Sequence, residues 1–299
     1  MRVTVEGRTL DLTNLERVLW PETGTTKGEM VDYYARMAPA LVPHLAHRPL
    51  MVWRWPLGVH ERGWDQFECK GRPEWMATHR LEMRKGEVAN VCVVNDAASL
   101  VWLANQGTIE LHPFLSRAEA FERPTVVVFD LDPGEPASLV ESCRVALLLR
   151  DLLSALHLEG FPKTSGKAGM HVYVPLNTEV TYAATKAFAQ AVARLLAREH
   201  PDLVVDRMRK DLRPGKVFVD WSQNDERKQT VAVYSLRAMN WPLVSAPVTW
   251  EEVARAVRRQ DPSALMVTPA DAIARFRLHG DLFEPVARLQ QRLPAKAAA

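Results

Sequence analysis

The stretch Pro124-Thr-Val-Val-Val-Phe-Asp130-Leu-Asp132-Pro-Gly134 constrains this chain more than any other. Its β-branched and aromatic run predicts a strand, and the Pro-Gly pair predicts a turn at its end. Alternate residues of a strand share a face, so Asp130 and Asp132 point the same way at its C-terminal end. Two carboxylates held that close repel unless a cation sits between them. Hard oxygen ligands suit Mg2+ or Mn2+, the ions of phosphoryl and nucleotidyl transfer. The plainer alternative is a strand end with one solvated aspartate and one that caps the turn. The motif alone leaves both readings open.

With 299 residues, 47% of them apolar and 25% charged, the chain has room for one large domain or two packed lobes. A net charge of +2 is too small to argue for a polyanion partner. The basic run Arg207-Met-Arg209-Lys210-Asp-Leu-Arg213 permits one, or is simply a solvated face. Cys69, Cys92 and Cys143 share no CxxC spacing, which predicts neither a zinc site nor a disulfide framework. A signal peptide and an apolar span of about 18 residues are both missing, which predicts a cytoplasmic protein with no membrane partner.

Residues 2–12 alternate around Glu6-Gly7 as a hairpin. Thr26 and Glu29 form a capping box, and Met30, Tyr33, Tyr34, Met37 and Leu41 supply the apolar stripe of the following helix. Lys27 in its first turn makes a ready anion site, or only a well-capped helix. A strand over 49–57 is followed by a loop-like segment with Trp64, Phe67, Lys70, Arg72 and Trp75. Aromatics interleaved with basic residues can stack bases and hold phosphates, or simply pack into a core. Further strands are expected over 88–95 and 108–113, the latter with Glu110 and His112 on one face, and a helix over 97–106.

Past the DxD strand, a helix over 138–157 precedes a hairpin whose turn reads Ser165-Gly166-Lys167-Ala168-Gly169. That turn can cradle a triphosphate, with Ser165, Lys167 or His171 donating, or serve as a plain turn. A helix over 181–199 leads to Lys216-Val-Phe-Val-Asp220-Trp, a second apolar strand that delivers a carboxylate. After a polar loop, residues 230–237 are expected to return as a strand, and helices over 249–260 and 269–279 follow. The tail from Leu293 reads as frayed.

Assembled in order, these pieces resemble the archaeo-eukaryotic primase superfamily, and more closely the polymerase domain of bacterial ligase D. The likeness runs over about residues 2–290. Its landmarks are LTNLERVLWPETGTTKGE, RWPLG, ELHP, VVVFDLDPGE, SGKAGMHVYVPL, VFVDWSQN and AVYSLRA. It implies an α/β (α+β) primase-polymerase fold of mixed and antiparallel sheets flanked by helices. A single catalytic domain would span 1–290: an N-terminal lobe over about 1–120, a lobe with the metal ligands over about 121–245, and C-terminal helices over about 246–290. Residues 291–299 would form a flexible tail.

The likeness implies a two-metal nucleotidyltransferase loaded with Mg2+ or Mn2+, with Asp130, Asp132 and Asp220 as ligands. Ser165, Gly166, Lys167, His171, Gln223, Lys228, Arg237 and His112 match residues around the incoming nucleotide. Arg17 and Lys27 fall where the family holds a 5′-phosphate, and Phe67 where an aromatic packs on the template. Implied partners are gapped or broken duplex DNA, NTP or dNTP, Ku and a DNA ligase, at the bacterial nucleoid. The family turn often reads SGxKG, so the lysine here is shifted by one position. Gln66-Phe67 replaces a common pair of phenylalanines, and the loop from Phe67 to Trp75 looks shorter than usual. Without ligase or nuclease motifs, the sequence reads as a stand-alone polymerase or an excised domain. One rival is a non-catalytic DNA-end binder using the Arg17 and Lys27 patch; the other is a phosphatase of the haloacid-dehalogenase type, with Asp130 as nucleophile and Asp132 as acid-base. No downstream lysine and acidic pair matches that family.

Overall fold

A computed structural model describes residues 1–82 and 86–294. The chain divides into two units, the first made of 1–119, 229–244 and 268–280, the second of 120–228, 245–267 and 281–299. The first unit therefore takes 229–244, which the sequence boundaries assign to the metal-ligand lobe.

In the first unit, β1 (Arg2–Val5) and β2 (Arg8–Asp11) form the expected hairpin, and β3 (Val18–Trp20) pairs with β4 (Thr25–Thr26). α1 (Lys27–Leu45) starts at the Thr26–Glu29 capping box and buries Met30, Tyr33, Tyr34, Met37 and Leu41. β5 (Pro49–Arg54) is the hub of an antiparallel sheet. It pairs with β6 (Trp64–Gln66) and β8 (Val88–Val93), and β7 (Thr78–Glu82) adds to β8. After α2 (Ala97–Asn105), β9 (Thr108–Pro113) takes the other edge of β5. The short β10 (Ser116–Arg117) ends this part of the chain.

A disulfide joins Cys69 to Cys92, with the Cα atoms 5.1 Å apart, which corrects the expectation of none. The two lie 23 residues apart, so spacing gives no signal. They meet because the Cys69 N–H donates to Asn90 O at 2.8 Å and Glu68 bridges to Val91, laying the segment after β6 alongside β8.

The second unit opens with β11 (Ala120–Pro124) and β12 (Val126–Pro133). Its capping box at Ser138 and Glu141 starts α3 (Leu139–Ala155). β13 (Phe161–Thr164), β14 (Met170–Pro175), α4 (Tyr182–Glu199), β15 (Val204–Val205) and β16 (Val217–Asp220) follow. The sheet order is β13-β14-β12-β16-β15, antiparallel except for β15 beside β16. Val127, Phe129 and Leu131 of β12 belong to a buried core with Val145, Leu149 and Leu153 of α3 and Phe188, Val192 and Leu196 of α4. Strand alternation then turns Asp130 and Asp132 to the opposite face of the sheet.

Residues 230–237 do not form the expected strand. The turn at Tyr234, whose φ is +63°, breaks the extension, and only β17 (Leu236–Arg237) is extended, paired with β18 (Leu243–Val244). α5 (Trp250–Arg259) and α6 (Pro269–His279) match expectation, and α7 (Glu284–Arg288) is short. The tail is ordered beyond its predicted start. The Gln291 amide donates to Pro175 O at 2.8 Å and Glu159 O at 3.0 Å, and Leu293 packs against the core. Residues 295–299 lie outside the described residues.

Candidate active site

Sheet register assembles the site. His171 of β14 and Asp220 of β16 both stand directly opposite Asp130 of β12, one on each side. Residues paired across neighbouring strands share a face, so the three form a row. Lys163 of β13 stands opposite His171 and extends the row to a fourth strand. It is fully buried, and its Nζ donates to Ser245 Oγ at 2.6 Å. His171 Nε2 lies 3.3 Å from Asp130 Oδ1. The Gln223 side-chain NH2 donates to Asp220 Oδ2 at 3.1 Å and to Asp130 Oδ2 at 3.4 Å, so one amide bridges both carboxylates. Asp220 Oδ1 accepts from the Ser222 N–H at 2.9 Å and from its hydroxyl at 2.6 Å.

Asp132 stands one pleat along, opposite Phe218. The Arg213 guanidinium carbon sits over the Phe218 ring, 3.9 Å from its centroid, and a guanidinium nitrogen is 3.8 Å from Asp132. Gly134 makes this approach possible: a Cβ there would sit 2.4 Å from Arg213 O. Desolvation, and then the negative charge of Asp130, push the Asp132 carboxyl above its ordinary pKa, while Arg213 opposes them and Asp220 adds to them. The Asp132 side chain is 60% exposed, so solvent screens these effects.

As placed, no three His, Cys, Asp or Glu side chains among the described residues enclose a point where an ion would sit. Asp130 and Asp220 are tied together by Gln223, whereas Asp132 faces Arg213. The chemistry of the donor set nevertheless fits hard divalent cations. It offers three carboxylates with mutual repulsion to relieve and no thiolate beside them.

The turn between β13 and β14 runs beside β12. Ser165 Oγ accepts from the N–H groups of Lys167 at 3.2 Å and Gly169 at 3.1 Å, closing the turn on itself. A Cβ on Gly169 would sit 2.4 Å from Leu131 O, so only glycine allows this contact with the DxD strand. Gly166 has φ +70°, and Lys167 is exposed at the tip. Lys228 is exposed on the turn after Asp225, to whose carboxylate it adds positive charge.

The remaining predicted residues belong to the first unit. His112 Nε2 and Glu110 Oε2 are 3.0 Å apart, and Glu110 Oε1 accepts from the Ala238 N–H at 3.0 Å, with Arg237 Nε at 3.3 Å. Glu110 is only 3% exposed and joins the two predicted nucleotide contacts. Lys27 is 5% exposed, and its Nζ donates to Thr13 O at 2.5 Å. The Lys27 N–H donates to Arg17 O at 2.8 Å, which sets the two side by side. Burial, then the positive charge of Arg17, lower the Lys27 pKa; Glu16 opposes them and Arg54 adds to them. Arg17 donates to Pro56 O at 2.8 Å. Phe67 is half-buried just past β6.

Sequence reasoning missed Lys163, Arg213 and the bridging role of Glu110. Lys163 falls two residues before Ser165, but no pattern in the sequence sets its register against His171. Arg213 was visible only as part of a basic run.

The family model described as the LigD primase-polymerase domain matches residues 26–283. The chain is 39% identical over 278 residues to the multifunctional non-homologous end joining protein LigD of Mycolicibacterium smegmatis, covering 92% of this chain and 36% of that protein. The bifunctional LigD of Bacillus subtilis is 30% identical over 247 residues, 82% of this chain and 39% of that one. The chain thus spans well under half the length of the curated relatives it matches. Among solved structures, the polymerase domain of Mycobacterium tuberculosis ligase D in complex with DNA superposes with a TM-score of 0.86 at 35% identity. That match covers 94% of this chain and 99% of that domain. Nothing in these likenesses supports the phosphatase alternative. The chain belongs to the LigD primase-polymerase domain family, a nucleotidyltransferase family of DNA end joining.

Proposed function

We propose that this chain adds nucleotides, with a preference for ribonucleotides, to a primer 3′-OH at gaps and breaks in DNA, copying a template. The row of His171, Asp130 and Asp220 across three strands, with Asp132 beside it, is the observation that carries this reading. Asp130, Asp132 and Asp220 are the residues to hold two divalent cations, Mg2+ or Mn2+. When bound, such ions activate the primer hydroxyl and neutralise the triphosphate and leaving pyrophosphate. Gln223 and Ser222 fix the carboxylate of Asp220, so little reorganisation is needed as charge develops. Ser165, Gly166, Lys167, His171 and Lys228 receive the incoming triphosphate, and the family likeness assigns His112 and Arg237 to the nucleotide as well. Gapped or broken duplex DNA is the substrate, Phe67 packs on its template strand, and Ku and a DNA ligase are the partners, acting at the nucleoid. No described helix is long and apolar enough to cross a membrane.

The test is extension of a gapped duplex with each sugar type and each metal. Templated addition that is faster with ribonucleotides supports the proposal; no addition under any combination rejects it.

Arg17 and Lys27 take the 5′-phosphate at the far side of the gap; the charges of Arg17 and Arg54 both reach Lys27, with Glu16 opposing them. Lys27→Ala is expected to reduce the preference for a 5′-phosphate over a 5′-hydroxyl gap by about tenfold, the worth of one charge-assisted hydrogen bond. The hydroxyl gap is the internal control, because structural damage would lower both rates together. The preference should hold while Lys27 is protonated. It should fade as the pH rises through its lowered pKa, below that of an ordinary lysine. An unchanged preference in Lys27→Ala would reject the assignment.

A further inference from the structure

In the second unit, a cavity of about 640 Å3 is lined by Arg194 and Arg198 of α4, by Asp206, Arg207 and Met208 after β15, and by Trp221. Arg194 and Arg198 are four residues apart on the helix and so share one exposed face. Arg194 and Arg207 have no hydrogen-bond or ion-pair partner among the described residues. Arg198 reaches only its neighbour Glu199, at 3.9 Å and in the open, where an ion pair is worth little. Three guanidinium groups thus face a space with one lining carboxylate, Asp206. The Trp221 indole N–H donates to Asp206 O at 3.0 Å, which fixes the ring, and Met208 is 53% exposed. Planar forks that match phosphate oxygens, beside a fixed indole and an exposed thioether, make a surface for phosphates and bases together. Trp221 directly follows Asp220 in the chain and packs against the buried core beside α4.

We propose that this cavity binds the sugar–phosphate backbone of one nucleic-acid strand, with Arg194, Arg198 and Arg207 on successive phosphates and Trp221 against a base. The proposal rests on the polymerase reading and adds a binding site to it.

The test is the salt dependence of binding to a fluorescent primer–template with a single-stranded 3′ extension, in chelator. In wild-type protein, log K falls linearly with log salt. The double variant Arg194→Ala/Arg198→Ala should lower that slope by roughly 1.4, and Arg207→Ala by roughly 0.7, at about 0.7 per single-strand phosphate lost. Affinity at low salt should fall about tenfold or more in the double variant, and Arg194→Lys/Arg198→Lys should restore most of the slope. Because Arg207 lies on a different segment from α4, its variant remains informative if the helix variant unfolds. A wild-type slope in a folded variant overturns the proposal. So does loss of inorganic tripolyphosphate binding with an intact DNA slope, which would mark a site for free polyphosphate. A wild-type protein that binds no DNA at any salt would instead contradict the polymerase reading itself.

Discussion

Asp132→Ala is expected to lower the rate of nucleotide addition at a gap by at least about a thousandfold, equivalent to roughly 4 kcal/mol of transition-state stabilisation. DNA binding in chelator should stay close to wild type, because the substitution removes a negative charge and touches no proposed phosphate contact. Stability should hold or improve. Desolvation, then the charge of Asp130, push the Asp132 carboxyl above its ordinary pKa against the opposing Arg213, so the folded protein gains when that charge goes. Losing activity while keeping the melting temperature is the signature of a group retained for chemistry at some cost to the fold. If addition continues at the wild-type rate, Asp132 is not part of the centre. If activity and melting temperature fall together, its role is structural.

The second large effect is expected at Asn224, which does for β12 what a neighbouring strand would do. β16 pairs only with residues 130–133 of β12, leaving Val128 beyond its end. Asn224 fills that place: its Oδ1 accepts from the Val128 N–H at 2.8 Å, and its Nδ2 donates to Val128 O at 2.7 Å and Trp221 O at 3.0 Å. The residue is fully buried. Asn224→Ala strands these backbone groups, at a cost of about 2–4 kcal/mol, and should lower the melting temperature by several degrees. It also frees the turn that carries Gln223 and Ser222, so the grip on Asp220 loosens and addition slows. Asn224→Asp tests the geometry: it keeps an acceptor for the Val128 N–H, but puts an oxygen against Val128 O and a charge into a buried site. Both variants should therefore be destabilised. A wild-type melting temperature in Asn224→Ala would show that the side chain does not hold β12.

Much of this was legible in the sequence because local signals are strong where the site is built. An apolar run ending in Asp-Leu-Asp specifies a buried strand with both carboxylates on one face, and the core of Val127, Phe129 and Leu131 is as that pattern requires. The capping boxes at Thr26 and Thr249 place helix starts to the residue, whereas those at Ser138 and Thr268 emerge only in the structure. What the sequence hid are contacts set by register and by long-range closure. The alignment of Lys163, His171, Asp130 and Asp220 depends on the pairing of four strands, and no residue type announces it. Cys69 and Cys92 meet because an irregular segment lies along β8. Residues 230–235 have strand-like composition, yet the Ala232 N–H bonds to Leu111 O and Tyr234 turns with positive φ, so tertiary contacts override propensity. Glu110 looked like one member of a strand face, whereas its burial between His112 and Arg237 makes it the group that joins them.

The most direct test of the central claim is a product balance on a one-nucleotide gap with a 5′-phosphate, in Mn2+ or Mg2+, with the templated ribonucleotide supplied. The account predicts that the primer grows by the templated nucleotide and that one pyrophosphate appears for each nucleotide joined, with both signals lost in Asp220→Ala. Inorganic phosphate released while the primer stays unextended, or extension that survives Asp220→Ala, would contradict it.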